Sequence, residues 1–265
     1  MTKIEEYGYK GDKRAGVARV VRSHGDYYHL VCNETDEIVI ARKKKSNFLD
    51  SAIRPMTGDF VEFRYNAQGE SMVTEVLPRF SSFERRDPSA RRQSQTLAVN
   101  FDTLFIMTGL DSDFSEPRIM RYLALAEDVG DAEVVVVLTK SDIATREVDL
   151  SSLGCKVLKV SSLTGQGMDA IRQYATKGKT IAMVGSSGVG KSTLLNALAG
   201  CDLAATCETQ SWSGRGRHTT TSRSLEMLPN GAMVVDTPGI REIGQVGEVD
   251  VRLDKTECSH RYRVK

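Results

Sequence analysis

Residues 185–193 read GSSGVGKST and satisfy the spacing G-x-x-x-x-G-K-[ST], with Gly185, Gly190, Lys191 and Ser192 in the fixed places. Gly185, Gly188 and Gly190 let consecutive main-chain N–H groups, including those of Ser186, Ser187 and Val189, converge on phosphate oxygens. A Cβ would block the turn this requires. Lys191 would neutralise charge on the β- and γ-phosphates, and the Ser192 hydroxyl, followed by Thr193, would ligate Mg²⁺. The apolar run TIAMV leads into the loop as a strand. STLLNALAG leaves it as a helix with Leu194, Leu195 and Leu198 on one side, its N-terminus favouring anions. A chance glycine-rich turn would match the spacing as well. Strand, loop and helix in the required order argue against it.

Four further segments convert a phosphate loop into a guanine site. Thr139-Lys140-Ser141-Asp142 fits the pattern [NT]-K-x-D. The Asp142 carboxylate can accept from guanine N1–H and the exocyclic amine together, and adenine offers neither donor, so the pairing discriminates. The Lys140 stem can cover the base. Taken alone, this tetrapeptide equally suits a loop with aspartate as a helix cap. Ser161 and Ser162, with Leu163, stand where a main-chain N–H could meet guanine O6. Asp236-Thr237-Pro238-Gly239 supplies an aspartate for the Mg²⁺ shell and a glycine to sense the γ-phosphate. Between the phosphate loop and DTPG, residues 214–221 read GRGRHTTT, in which Thr219 and Thr220 could complete the Mg²⁺ shell. Together these predict GTP/GDP and Mg²⁺ as ligands.

The order is unusual. In ordinary GTPases the phosphate loop comes first and the guanine-reading motifs last. Here TKSD (139–142) and SSL (161–163) precede GSSGVGKS (185–192) and DTPG (236–239). The sequence therefore predicts a circularly permuted sheet, in which the site survives because domain termini tend to lie close together. The segment after DTPG then ends the domain, where a switch loop can pull directly on the C-terminal tail.

Positioning these loops needs alternating strands and helices. From Asn100, FDTLFIMTG, AEVVVVLTK, CKVLKVSS, TIAMV and AMVVD read as strands, with helical stretches between them, and predict a mostly parallel α/β sheet. Residues 10–78 read differently: about five short alternating runs with glycine turns predict an OB-like barrel. On it Tyr27, Tyr28, Arg42, Lys43, Lys44 and Lys45 are candidates for an RNA-binding face, although a basic run is as often a solvated loop. The expected division is an all-β barrel over 1–78, an arginine-rich linker over 79–98, a permuted P-loop GTPase domain over 99–247 and a tail over 248–265.

The 265 residues, 40% hydrophobic and 27% charged, describe a globular chain rather than a disordered one. No apolar run reaches membrane-spanning length. An N-terminus without an apolar signal core and five scattered cysteines predict a cytoplasmic protein with no disulfide framework. Residues 1–98 carry 17 basic and 14 acidic side chains and the rest 19 and 21. Any nucleic-acid contact must then rest on local patches.

With the barrel, the permuted order, GRGRHTTT and DTPGIRE, the chain resembles the ribosome small subunit-dependent GTPase A family over residues 10–260. The resemblance implies GTP hydrolysis stimulated by the small ribosomal subunit, Mg²⁺ dependence, action late in subunit maturation and rRNA contacts by the barrel. A monomer is expected. Many GTPases orient the attacking water with a glutamine just after DxxG; here Ile240 follows Gly239, and His218 is the family-like replacement. Family members also carry a Cys-x₄-Cys-x-His-x₅-Cys type of zinc arrangement. Cys258 and His260 match its centre, but Leu253 stands five positions before Cys258 and the sequence ends at Lys265, so a truncated or lost zinc site is expected. Two rival readings stay open: a nucleotide-gated RNA-binding assembly factor with little turnover, and a permuted GTPase acting on the large subunit.

Overall fold

The computed structural model describes residues 3–12, 15–43, 53–85, 95–144, 147–202 and 224–236. A single turn of helix, α1 (Lys3–Glu6), precedes five strands: β1 (Val17–His24), β2 (Tyr27–Cys32), β3 (Val39–Lys43), β4 (Phe60–Arg64) and β5 (Ser71–Val76). They pair in the order β1-β2-β3-β5-β4, and β4 returns to β1, closing the barrel. The sequence dictates this closure through alternation. In β3, Val39 and Ala41 are buried while Ile40 and Arg42 are exposed; in β5, Ser71 and Val73 are buried while Met72 and Thr74 are exposed. The inward set, including Val20, Tyr28, Leu30, Val61 and Phe63, fills the interior.

Residues 79–98, expected as a linker, differ. Strands β6 (Ser82–Arg85) and β7 (Gln95–Val99) form an antiparallel hairpin. Phe83 on β6 and the apolar end of β7, Leu97 and Ala98, supply the buried side chains that hold the hairpin against the core of the next domain. Residues 86–94 lie outside the described ones.

The second half runs β8 (Thr103–Gly109), α2 (Glu116–Leu125), β9 (Glu133–Thr139), β10 (Lys156–Lys159), α3 (Met168–Arg172), β11 (Thr180–Gly185), α4 (Lys191–Ala199), β12 (Ser224–Met227) and β13 (Met233–Asp236). Strands β8, β9 and β11 read as continuous apolar runs because both of their faces are covered. One face carries α2 and the β6–β7 hairpin, the other α3 and α4. The sheet order is β10-β9-β8-β11-β13-β12, parallel except for β12. Counting from β11 as the first strand turns this into 6-5-4-1-3-2. The phosphate-loop strand β11 thus sits at the sheet's centre beside β8, where chain connections diverge to opposite sides. That crevice, outside the strand C-termini, is where open α/β sheets bind ligands.

The two halves are one hydrogen-bonded sheet. β12 pairs with the barrel strand β1, with Arg22 opposite Ser224. At this junction Arg19 is buried, its Nη2 donating to Asn100 O at 2.8 Å, its Nη1 to Tyr7 O, and its guanidinium lying 4.8 Å from the Phe60 ring centre. Burial lowers its pKa to about 10, which leaves it charged at neutral pH. Nearby, fully buried Asp59 receives both Arg79 Nε and Nη2 at 2.8 Å, tying β4 to the chain that leaves the barrel.

Candidate nucleotide site

The phosphate loop joins β11 to α4. At Gly185 an added Cβ would stand 2.5 Å from Met107 O on the neighbouring strand, so only glycine lets the loop start this close to β8. Gly190, at φ 101°, turns the chain into α4 without a side-chain cap on the helix. A helix end without a side-chain cap is the kind that favours an anionic ligand. Lys191 Nζ folds back onto Gly185 O at 2.9 Å and Ser186 O at 2.8 Å, which holds the ammonium at the mouth of the loop. Ser187, Gly188, Ser192 and Thr193 are exposed or half-exposed, and Val189 is buried beneath them.

The TKSD segment, expected to read guanine, begins at the end of β9, two strands away. Buried Thr139 donates through Oγ1 to Val189 O at 2.6 Å and lies 3.2 Å from Thr108 O. One hydroxyl thus anchors the base-reading loop to the phosphate loop. Asp142 sits in a short 3₁₀ turn, Ser141–Ile143, and is exposed. Ser141 N donates to Val160 O at 3.1 Å and its Oγ lies 3.1 Å from Gln166 Oε1, which brings the TKSD and SSL loops together. Buried Ser161 holds its own loop, with its N–H on Gln166 O and its Oγ accepting from Thr164 N. Ser162 is half-buried.

Asp236 ends β13, pairing in register with Met183 two residues before Gly185. The Ser192 hydroxyl on α4 is a hard oxygen donor, the kind of group Mg²⁺ takes. Among the described residues no three His, Cys, Asp or Glu side chains gather into a metal cluster. The expected roles of His218, Thr219, Thr220 and Gly239, and the Cys258 and His260 pair, fall outside the described residues.

Residues 76–246, more than half of the chain, match the sequence profile of the RsgA GTPase family. The chain belongs to the RsgA GTPase family. The small ribosomal subunit biogenesis GTPase RsgA 2 of Lactiplantibacillus plantarum is 39% identical over 234 residues, covering 86% of this chain and 66% of that protein. RsgA 2 of Listeria monocytogenes is 36% identical, covering 96% of this chain and 75% of that protein. The chain thus spans roughly two thirds to three quarters of the length of these relatives. The crystal structure of YjeQ from Thermotoga maritima shares the fold with a TM-score of 0.59 at 26% identity, covering 84% of this chain and 74% of that one. YloQ, described as a circularly permuted GTPase, superposes at 0.53 and 21% identity over 86% of this chain and 73% of its own. The chain is accordingly a circularly permuted GTPase fold with a closed five-stranded barrel at its N-terminus.

On the barrel, the expected RNA-facing residues separate. Tyr28 is 1% exposed and belongs to the interior, because the alternation of β2 sends it opposite to Tyr27. Tyr27 is exposed, with the Arg42 guanidinium 4.4 Å above its ring. Lys44 and Lys45 lie outside the described residues. Missed altogether are Asp111, Asp113 and Arg118, in and after the loop that succeeds β8. The signal was an Asp-x-Asp immediately beyond a buried strand, at the sheet end where ligands bind.

Proposed function

We propose that this chain hydrolyses GTP to GDP and phosphate, and that the small ribosomal subunit, whose late maturation it serves, stimulates the hydrolysis. The observation that carries the reading is the Thr139 hydroxyl on Val189 O, which sets the guanine-reading and phosphate-binding loops in one rigid relation. The relatives' names, small ribosomal subunit biogenesis GTPase, supply the partner. No helix among the described residues is long and apolar enough to cross a membrane. The protein works in the cytoplasm, where its partner subunit matures.

In this reading Asp142 and the SSL loop, Ser161 and Ser162, select guanine, and Lys140 covers it. The main chain of Gly185–Gly190 cradles the phosphates. Lys191 leaves its two carbonyl partners for the β- and γ-phosphates, exchanging neutral acceptors for charged ones. Ser192 and Asp236, with Thr219 and Thr220, hold Mg²⁺, which neutralises charge developing on the γ-phosphoryl group. Gly239 senses the γ-phosphate. Ile240 offers no polar group to orient water, so His218 takes that role and unassisted turnover is slow.

The barrel contacts rRNA through its outer face. Register places Tyr27 opposite Arg42, His29 opposite Ile40 and Arg42 beside Met72, so aromatic, basic and apolar side chains share one surface. That mixture suits stacked bases and phosphates. The test is GTP turnover with no partner, with small subunits and with large subunits. Stimulation by small subunits alone is expected. Equal rates in all three would overturn the partner, and stimulation by large subunits alone would favour the rival substrate.

A further inference from the structure

A third segment lines the site between the two motif-bearing loops. It is the loop 110–115 that connects β8 to α2, and its backbone is fixed to the guanine-reading strand by Leu110 N on Thr139 O at 2.9 Å. Asp111 Oδ2 accepts from Lys140 Nζ at 2.5 Å, and Asp111 Oδ1 accepts from Asp113 N at 3.1 Å. Asp113 in turn receives the Ser186 hydroxyl of the phosphate loop at 2.8 Å and both Arg118 nitrogens, at 2.7 and 3.2 Å. A chain of polar contacts therefore runs from Lys140 through the two aspartates to the phosphate loop.

Lys140 needs such a support. Its backbone stands at φ 59°, ψ 37°, the left-handed region that a residue with a Cβ rarely adopts, so the turn aims its side chain in an unusual direction. A lysine stem is otherwise free to rotate, and binding would have to freeze it. The Asp111 ion pair does so beforehand. Both partners are part-buried, with side chains 33% and 21% exposed, so solvent screens the pair only in part.

We propose that Asp111 is a positioning residue for guanine-nucleotide binding, holding Lys140 as a preformed wall for the base. The inference rests on the proposed guanine site but not on the hydrolytic step or the ribosomal partner. Because Lys140 covers the base without reading its edge, Asp111 governs affinity and not base choice. Asp142 governs the choice.

The test is equilibrium binding of fluorescent GDP and GTP to the full chain, to Asp111→Asn, to Lys140→Ala and to the double variant, with ITP as competitor. Thermal melting of the nucleotide-free proteins checks that each folds. Asp111→Asn weakens guanine-nucleotide binding by about three- to tenfold, as expected for loss of preorganisation in one long side chain, and leaves the GTP-to-ITP ratio unchanged. In the Lys140→Ala background the same substitution has little further effect, since the two act as one unit. Asp111→Glu, which keeps the carboxylate, recovers part of the affinity. Wild-type affinity in Asp111→Asn, or a loss that adds fully to that of Lys140→Ala, overturns the proposal and makes Asp111 a loop-stabilising residue. Failure of the unmodified chain to bind any guanine nucleotide would remove the underlying site reading instead, and the proposal with it.

Discussion

The barrel and the nucleotide-binding sheet share one continuous ladder of strands, yet they expose opposite parts of themselves. Strands β3 and β5 alternate, and with the start of β2 they keep an outer face on which Tyr27, Ile40, Arg42 and Met72 meet solvent. The strands β8, β9 and β11 are buried on both faces and leave only their C-terminal ends for chemistry. A surface suited to an extended partner and a crevice suited to a small, charged ligand arise from the same backbone pairing. What differs is the side-chain period. The antiparallel pair β1–β12 joins them, and β12 begins at Ser224, three positions after the last residue of the GRGRHTTT string.

If the chemistry belongs to the sheet ends alone, Lys191→Ala should lower GTP turnover by about 10²-fold or more while leaving the melting temperature close to wild type. The lysine donates to two loop carbonyls, and its removal leaves those neutral acceptors near solvent at the mouth of the loop. Near-normal turnover would mean that the phosphate loop is misassigned.

The junction between the regions should be far less tolerant of charge loss. Asp59 is fully buried, and Arg79 is its two-point partner. Burial pushes the Asp59 carboxyl up and the guanidinium pulls it back. Arg79→Ala leaves that carboxylate without its cation and should cost about 3–5 kcal/mol in chemical denaturation. A cost below about 1 kcal/mol, the scale of an exposed pair, would show that the barrel and sheet do not depend on this tie.

The outer barrel face should behave in the opposite way. Ile40→Asp and Arg42→Ala change exposed positions and should shift stability by only about 0.5 kcal/mol, apart from any lost contact of Arg42 with Tyr27 and Glu70. Their effect should appear in affinity for small subunits, measured by sedimentation, with unassisted GTP turnover unchanged. Normal subunit binding by both variants would move the RNA contact to another face.

These contrasts mark what the sequence could and could not disclose. The parallel strands were legible because burial on both faces demands unbroken apolar runs such as VVVVL, and the phosphate loop because glycine is required where β11 approaches Met107. Strand β12, four residues reading SLEM, has too little pattern to announce itself, so the pairing that unites the two regions was not visible. Arg19 illustrates the same limit. In the run GVARVVRS it reads as an ordinary outward strand position. It is buried because Tyr7, Asn100 and Met233, from distant parts of the chain, meet it, and long-range contacts leave no local mark. Arginines hid the β6–β7 hairpin, whose buried Phe83 stands between serines and charged residues in a polar stretch. Asp111 and Asp113 look in sequence like ordinary loop aspartates, which often cap turns. Their partners, Lys140 and Ser186, lie 29 and 73 residues away.

Strands in permuted order rebuild a guanine site here only if Asp142, in the turn just beyond β9, reads the base beside the phosphate loop that follows β11. Competitive equilibrium binding of GTP, ATP and XTP to the unmodified chain and to Asp142→Asn decides the matter. The unmodified chain should prefer GTP over ATP by at least about 10²-fold, since a site built to hydrogen-bond loses strongly when its partner lacks the donors. Asp142→Asn should shift the preference toward XTP, whose C2 oxygen accepts from an amide. Equal affinity for GTP and ATP, or a preference untouched by Asp142→Asn, would contradict the guanine site.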